Sequence, residues 1–350
     1  MKRKWLAVGI ILLFVGVTIA PTINAQDTEK SQSTSRDNWL YVGGSGPGNY
    51  TRIQDAIDNA SDGDRIFVYN GTYHEALHVD KFLNIIGENR NTTCIDANFS
   101  YSAVTISHEF VYLYGFTIIG KNTSIQIDKD SDFIAIVNNN LSFNNGILCM
   151  YHSTAHLGNI LWDNIFYSNT LGCFFAGNNN FIEDNVFIDN DVGGFFTGSN
   201  NCIRNNTFLH CRNAGLQLLN SSSWVEDNIF IGNDFGLQVG GSEHQIIGNL
   251  FWDNSIGVQL VNTTDTIVQY NNFVHNKKHA SFYLKRPIQG NNWDSNYWSG
   301  FFDFFKYKCI FGRIQICIPW ISKSHLHYYP RWIAFDKHPA QEPYDIPGMK

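Results

Sequence analysis

One short phrase returns six times in the middle of this chain. Its copies are Leu161-Trp-Asp-Asn-Ile-Phe166, Ile182-Glu-Asp-Asn-Val-Phe187, Ile203-Arg-Asn-Asn-Thr-Phe208, Val225-Glu-Asp-Asn-Ile-Phe230, Ile246-Ile-Gly-Asn-Leu-Phe251 and Val268-Gln-Tyr-Asn-Asn-Phe273. The steps between the asparagines are 21, 21, 22, 21 and 22 residues. A fixed period of this length is typical of a stacked-repeat protein, in which one unit cannot bury its own apolar face.

Each period contains short runs of alternating apolar and polar residues, such as Gly215-Leu-Gln-Leu218. Alternation predicts strands, and no helical period persists for ten residues in this stretch. Leucine-rich repeats share the period, but they need a leucine framework and a helix-length segment, which the repeats lack. The sequence therefore predicts an all-β fold, a single-stranded parallel β-helix over residues 39–298.

In such a coil, equivalent residues stack about 4.8 Å apart along the axis. Two inward columns follow, one aliphatic and one of phenylalanine: Leu161, Ile182, Ile203, Val225, Ile246 and Val268; and Phe166, Phe187, Phe208, Phe230, Phe251 and Phe273. The column of asparagines from Asn164 to Asn271 is predicted to lie at a bend, with each amide bonding to the next coil.

The flanking segments differ from the repeats. Residues 1–25 combine a basic start, an apolar run and a small residue at a plausible cleavage point, which predicts a secretory signal peptide, with an uncleaved anchor as the alternative. Residues 26–38 read as a disordered leader. Residues 50–60 predict an amphipathic helix that caps the open end of the stack. Residues 299–350, aromatic and proline-rich, predict an irregular C-terminal cap or tail, and Cys309 and Cys317 could bridge a hairpin within it.

The composition indicates an exported protein. The net charge is -7 and the basic residues are scattered singly, so no basic surface for nucleic acid is expected. No membrane span is expected in the mature chain, and ten Asn-X-Ser/Thr sequons offer sites for glycans if the protein is secreted.

Several segments resemble archaeal secreted right-handed β-helix proteins. The resemblance lies in the opening segment from Tyr50 to Asp64, in Asn70-Gly-Thr-Tyr73, in Ile85-Ile-Gly-Glu-Asn89, in Gly115-Phe-Thr-Ile118, and in the tail from Phe335 to Asp345. The repeated Asn-X-Phe phrase is similar to the repeats of the NosD type, periplasmic proteins linked to copper delivery and grouped with carbohydrate-binding and sugar-hydrolase β-helices of pectin-lyase-like fold. The resemblance, with the general preference for right-handed crossovers, implies a right-handed coil.

The first candidate site is an outward column on the strand that follows the glycine. Alternation turns Gln217 outward, and the same register predicts outward Phe174 and Phe196. Exposed rings beside side-chain amides can bind a sugar, while the alternative is a glutamine ladder whose rings cover a loop within residues 143–160. The predicted ligand-binding residues are Phe174, Phe196, Gln217, Gln238 and Gln259.

Two further columns hold titratable groups. Asp189, His210, Asp253 and His275 could orient a general base, although no nucleophile or second acid accompanies them. Asp163, Asp184 and Asp227 would either share a cation such as Ca²⁺ or face water, and water is the favoured reading.

A possible metal site lies in the tail. His325, His327 and His338 stand near Asp336, and the two histidines of His325-Leu-His327 would share one face of a strand. Imidazole ligands bind Cu²⁺ or Zn²⁺, so copper is a candidate ligand of this segment.

The known catalytic signatures of pectate lyases (Arg-X-Pro-X-X-Arg) and polygalacturonases (Gly-His-Gly) are missing. We therefore expect a secreted or cell-surface protein that binds carbohydrate or acts as a surface scaffold, with a glycan or cell-surface polymer as partner. A polysaccharide lyase or glycoside hydrolase is the second hypothesis, and a periplasmic copper-handling protein is the third.

Overall fold

The computed structural model describes residues 38–97, 99–129, 131–142, 145–149, 158–285, 290–300, 307–318 and 326–346. The predicted signal peptide, the leader up to residue 37, much of the loop at 143–160 and His325 lie outside the described residues.

Nearly all regular structure consists of short strands. The first part of the chain forms β1 (Trp39–Val42), helix α1 (Ile53–Asn59), β2 (Arg65–Val68), β3 (Gly71–Tyr73), β4 (Leu77–Val79), β5 (Asn84–Gly87), β6 (Thr93–Ala97), β7 (Ser102–Ile106), β8 (Tyr112–Tyr114), β9 (Thr117–Gly120), β10 (Thr123–Ile127), β11 (Ala135–Val137), β12 (Asn140–Ser142) and β13 (Asn145–Cys149). The regular repeats form β14 (Ile160–Trp162), β15 (Ile165–Tyr167), β16 (Leu171–Phe175), β17 (Phe181–Glu183), β18 (Val186–Ile188), β19 (Val192–Phe196), β20 (Cys202–Arg204), β21 (Thr207–Leu209), β22 (Ala214–Ser221), β23 (Trp224–Glu226), β24 (Ile229–Ile231), β25 (Phe235–Ser242), β26 (Gln245–Ile247), β27 (Leu250–Trp252), β28 (Ile256–Thr264), β29 (Ile267–Gln269), β30 (Asn272–Val274) and β31 (Lys278–Leu284). The C-terminal part adds β32 (Asn292–Asp294), β33 (Tyr297–Trp298), β34 (Lys308–Ile314), β35 (Ile316–Ile318), β36 (Leu326–Tyr328) and β37 (Arg331–Asp336).

These strands wind into a parallel β-solenoid of about 11 turns, as the repeat period predicts. Every third strand from β2 to β32 forms face A, every third from β3 to β33 forms face B, and every third from β4 to β34 forms face C. Each strand pairs in parallel with the strand one coil away, as in Ile182↔Ile203 and Phe187↔Phe208. Residues one period apart are therefore neighbours in space.

The core is built from the predicted inward columns. All six phenylalanines of the inward column are fully buried, and the rings of successive members stack with centroids 4.5–5.0 Å apart. Trp298 continues the stack, 4.3 Å from Phe273. Because burying such a ring contributes roughly 1.5–3 kcal/mol, each added coil strengthens the one before it.

The asparagine column forms a continuous hydrogen-bonded ladder at the bend between faces A and B, as predicted. From Asn139 to Asn296, each backbone N–H donates to the side-chain oxygen of the next asparagine at 2.9–3.1 Å. The side-chain amide donates to the same oxygen at 2.9–3.3 Å. The ladder thus satisfies the buried polar groups that a sharp bend would otherwise leave unpaired.

Helix α1 packs against the first coil, as the capping prediction requires, although it is shorter than the predicted span of 50–60. Ile53, Ala56 and Ile57 are fully buried. The first N–H groups of the helix, those of Ile53 and Gln54, have no acceptor within it and donate to the carboxylate of Glu75 at 2.7 and 3.0 Å. A side chain of the first coil therefore caps the helix from outside it.

The C-terminal end of the solenoid is closed by an antiparallel hairpin of β34 and β37. Strand β34 extends face C by pairing in parallel with β31, while β37 pairs back along it from Arg313↔Arg331 to Lys308↔Asp336. Cys309 is a free, exposed thiol opposite Phe335, and Cys317 belongs to a different strand pair opposite His327. The proposed Cys309–Cys317 bridge is therefore wrong.

Candidate functional site

The outward surface of face C carries a continuous row of side chains. The register pairs Phe174 with Phe195, Phe195 with Gln217, Gln217 with Gln238, and Gln238 with Gln259. All five side chains are half-buried. We call Phe174, Phe195, Gln217, Gln238 and Gln259 the outer row of face C.

The prediction that Phe196 faces outward is wrong. Phe196 is 1% exposed and pairs with Phe175 and Leu218 in the core. The coil that begins at Phe174 is 21 residues long, so Phe174 pairs with Phe195. The prediction assumed a coil of 22 residues, which placed Phe196 on the outside instead of Phe195. A slip of one residue exchanges the two faces of a strand.

The two rings of the outer row form an aromatic platform. The centroids of Phe174 and Phe195 lie 5.2 Å apart with an interplanar angle of 45°. Both rings are half-buried, so the platform keeps part of its apolar surface in contact with solvent.

The glutamines continue the row as a ladder of amides. The Gln217 amide donates to the Gln238 carbonyl oxygen at 3.1 Å, and the Gln238 amide donates to that of Gln259 at 2.7 Å. Each amide still has a second N–H and further acceptor capacity that the ladder does not use. The ladder therefore fixes the side chains while leaving polar groups for a ligand.

A pocket of about 450 Å³ lies at the C-terminal end of this row, and we call it the C-terminal pocket. Gln259 is followed in the register by Ser281, and the pairing of Phe282 with Gly312 brings Phe311 next to Ser281. The wall of the pocket includes Gln259, Lys278, Ser281, Phe311, Arg313 and Arg331. The repeat pattern did not indicate this pocket, because the step from β31 to β34 is longer than the other coils.

The predicted catalytic column lies on the solvated bend between faces B and C. Asp189, His210, Asp253 and His275 all have φ of 54°, a left-handed turn conformation. The nearest pair is His210 Nδ1 to Asp189 Oδ1 at 3.9 Å, with 60% and 46% of the side chains exposed. Left-handed backbone at a bend accounts for Asp and His in this column, and their catalytic role stays a prediction.

The acidic column at the bend between faces A and B has separate partners. Asp163 lies 3.6 Å from the Arg90 guanidinium, and Asp184 accepts a hydrogen bond from the Trp162 indole at 2.8 Å. Within the described ranges, no group of three potential metal ligands is found here or elsewhere. Asp163 and Asp184 thus have protein partners of their own, and the choice between water and a cation for this column stays a prediction.

The tail residues proposed as metal ligands have different positions and partners in the structure. His325 lies outside the described residues, and His327 lies in β36. Asp336 is fully buried, and its Oδ2 accepts hydrogen bonds from Asn296 N, Asn296 Nδ2 and Trp298 Nε1 at 3.0, 3.1 and 2.9 Å. His338 Nδ1 lies 2.7 Å from Asp294 Oδ1. Asp336 thus ends the asparagine ladder. In the described part of the tail no three potential metal ligands lie together, and a metal site that includes His325 and His327 stays a prediction.

Residues 57–301 match the family model described as "Periplasmic copper-binding protein (NosD)". The chain belongs to this family. The family description names copper, but the described residues of this chain contain no group of three His, Cys, Asp or Glu side chains that could hold a metal ion. No curated protein matches the sequence.

The solved structures with related folds share little sequence with this NosD-family chain. The Dettilon tailspike protein (gp208) is 15% identical with a TM-score of 0.44, over 70% of this chain and 62% of the tailspike. The A-module of the Azotobacter vinelandii mannuronan C-5 epimerase AlgE4 is 14% identical with a TM-score of 0.39, over 70% and 88% of the two chains. The PL6 family alginate lyase AlyGC is 14% identical with a TM-score of 0.41, over 69% and 49%. This chain therefore spans less than two thirds of the tailspike it matches.

Among the helices that the structure describes, none is long and apolar enough to span a bilayer.

Proposed function

We propose that the protein binds a glycan along face C, outside the cytoplasm, at the cell surface or in the periplasm. The observation that supports this proposal is the outer row itself, in which two half-buried phenylalanines continue into an ordered ladder of amides. A sugar presents an apolar C–H face and a rim of hydroxyl groups. The rings can cover the former, and the unused amide groups can bond to the latter.

The geometry favours an extended ligand. Equivalent side chains recur at each coil, so the row from Phe174 to Gln259 crosses four coil steps, or about 19 Å. A flat, repeating surface of this length can contact several consecutive sugar rings, and each contact adds to the affinity of one chain. An isolated monosaccharide would cover only part of the row.

The test measures binding of oligosaccharides to the full chain by calorimetry, after a glycan array has identified those that bind. Phe174→Ala and Phe195→Ala should each weaken binding about fivefold to tenfold, because covering a half-exposed ring is worth about 1 kcal/mol or slightly more. Trp252→Ala is the matched control, since Trp252 is a 42% exposed aromatic residue on face B.

Equal losses in the face B and face C variants would contradict the assignment of the ligand to face C. The reaction mixture is also examined for unsaturated products and for new reducing ends. Their appearance would identify a polysaccharide lyase or a glycoside hydrolase instead of a binding protein.

A further inference from the structure

The C-terminal pocket carries an excess of positive charge. Lys278, Arg313 and Arg331 all line it, and β34 and β37 place the two arginines directly opposite each other in the hairpin. All three residues are exposed. No carboxylate of the described residues forms an ion pair with any of them, whereas Arg52, Arg90, Arg204 and Arg212 each have at least one carboxylate partner.

The positive charges act on one another. The pKa of Lys278 is lowered, first by partial desolvation against the pocket wall and then by the neighbouring charge of Arg313. Like charges held together in this way are relieved when an anion binds between them, because the anion stabilises the charged form of each. The pocket is therefore arranged to accept negative charge.

Neutral hydrogen-bonding groups complete the wall. Ser281 is 4% exposed, and its Oγ is buried with no hydrogen-bond partner. A buried hydroxyl group that lacks a partner costs stability, so a ligand oxygen that reaches Ser281 gains a hydrogen bond and removes that cost. Gln259, at the end of the glutamine ladder, and Phe311, 56% exposed, provide an amide and a ring next to it.

We propose that the C-terminal pocket binds the carboxylate or sulfate group of an acidic glycan whose chain lies along the outer row of face C. The two guanidinium groups bind the anionic oxygens, for which their planar donor geometry is well matched. The Ser281 hydroxyl donates to a ligand oxygen, and Phe311 packs against the sugar ring. This inference rests on the proposed glycan binding and adds that the bound glycan is acidic.

The pocket also gives the bound chain a direction. From Phe174 to Phe311 the register crosses six coil steps, or about 29 Å, from an apolar platform to a cationic pocket. A glycan with one acidic group near its end would bind in one orientation. A uniformly acidic chain could place any of its residues in the pocket.

The experiment compares four probes with the full chain in chelator-containing buffer: oligogalacturonate, the same oligomer with its carboxyl groups methyl-esterified, a sulfated galactan oligomer, and monomeric galacturonate. We expect oligogalacturonate or the sulfated oligomer to bind about tenfold or more tightly than the ester, since a hydrogen bond between charged groups is worth more than a neutral one. Which of the two acidic oligomers binds better distinguishes carboxylate from sulfate.

The variants locate the effect. Arg313→Gln should weaken the acidic probe about tenfold and leave the ester unchanged, and Ser281→Ala should weaken the acidic probe less. Arg212→Gln is the matched control, because it removes the same charge from an exposed bend, where the Arg212 guanidinium lies 3.4 Å from Asp191. Circular dichroism of each variant confirms that the fold is retained.

The outcomes separate the two proposals. If acid and ester bind equally, or if Arg313→Gln leaves the preference for acid unchanged, the anionic site is refuted and glycan binding by the outer row stands, provided Phe174→Ala still weakens the ester. If monomeric galacturonate binds as tightly as the oligomer and Phe174→Ala has no effect, the pocket stands and the glycan row is refuted. If no probe binds, both are refuted.

Discussion

Removing the Asp336 carboxylate should destabilise the C-terminal end of the solenoid far more than removing an exposed one. Asp336 lies where the next asparagine of the ladder would lie, and one of its oxygens accepts three hydrogen bonds from Asn296 and Trp298. Its other oxygen accepts the backbone N–H of His338 at 3.1 Å. The residue therefore joins β37 to the last coil.

The magnitude follows from the groups left without partners. Asp336→Ala leaves two buried donors unpaired, the backbone N–H of Asn296 and the indole N–H of Trp298, whereas Asn296 Nδ2 keeps Val268 O and Asp294 O as acceptors. Each unpaired donor costs about 1–3 kcal/mol, so a loss of at least about 2 kcal/mol is expected. Asp336→Asn retains a carbonyl oxygen in the position that the ladder uses at each preceding coil. Its expected cost is smaller, about 1 kcal/mol, because one acceptor is kept and a charge-assisted bond becomes a neutral one.

The measurement is urea unfolding followed by tryptophan fluorescence, combined with hydrogen exchange of the segment 290–300. Asp253→Ala serves as the control, since Asp253 is exposed at a bend. The reasoning is refuted if Asp336→Ala and Asp253→Ala lose the same free energy of unfolding, or if exchange in 290–300 does not rise in Asp336→Ala. Copper supplies a second check: if Asp336 were a metal ligand, copper would stabilise the wild type and not Asp336→Asn, whereas the ladder cap predicts no such difference.

Two other changes test the core and the thiols. Phe208→Ala should lower the free energy of unfolding by about 3–5 kcal/mol in thermal or urea unfolding, because its fully buried ring stacks between neighbours at 4.7 and 4.9 Å. The control Tyr167→Ala, on the outside of face B, should cost less than about 1 kcal/mol. Similar losses in the two variants would contradict the stacking argument. In mass spectrometry of iodoacetamide-treated native protein, Cys309 should be labelled and Cys211 protected, because Cys211 is buried and burial raises its pKa to about 12 from 9.0; equal labelling would contradict this. Since the folded-state pKa of Cys211 is the higher one, its contribution to stability is complete below pH 9.0 and falls as the pH rises from 9.0 towards about 12.

The regular coils could be predicted from the sequence because each residue of a coil has a counterpart one period away. The Asn-X-Phe phrase marks one bend and one inward position in every coil, so the phenylalanine stack and the asparagine ladder follow from spacing alone. The ladder also extends beyond the phrase, to Asn139 and Asn296. Those two positions lie in coils whose length varies, so period counting does not reach them.

The outer row was predicted in its glutamines but not in its second ring. Gln217, Gln238 and Gln259 are flanked by inward leucine or valine on both sides, so alternation determines their direction. Phe195 and Phe196 are chemically identical, and alternation alone cannot show which faces the core. Only the coil length of 21 between Phe174 and Phe195 decides it.

The C-terminal pocket could not be predicted because it depends on one aperiodic coil and on one antiparallel pairing. Strand β34 enters face C after a longer step than the earlier strands, and β37 returns against it from a distant part of the chain. Loop-closing contacts of this kind carry no repeat signal. The arginines of the pocket therefore have no counterparts in other coils that would identify them.

The closing hairpin connects the stability of the solenoid with its proposed binding surface. Asp336, at one end of β37, is held by the ladder and by Trp298, while Arg331, at the other end, lines the pocket. The ladder that satisfies the buried amides of each coil thus also fixes the strand that carries half of the cationic pair. In a solenoid, where contacts pass only between neighbouring coils, a binding site at the end of the stack depends on the capping of that end. The aromatic platform lies several coils away and does not depend on this cap. Its contribution to binding and that of the pocket can therefore be separated by mutation.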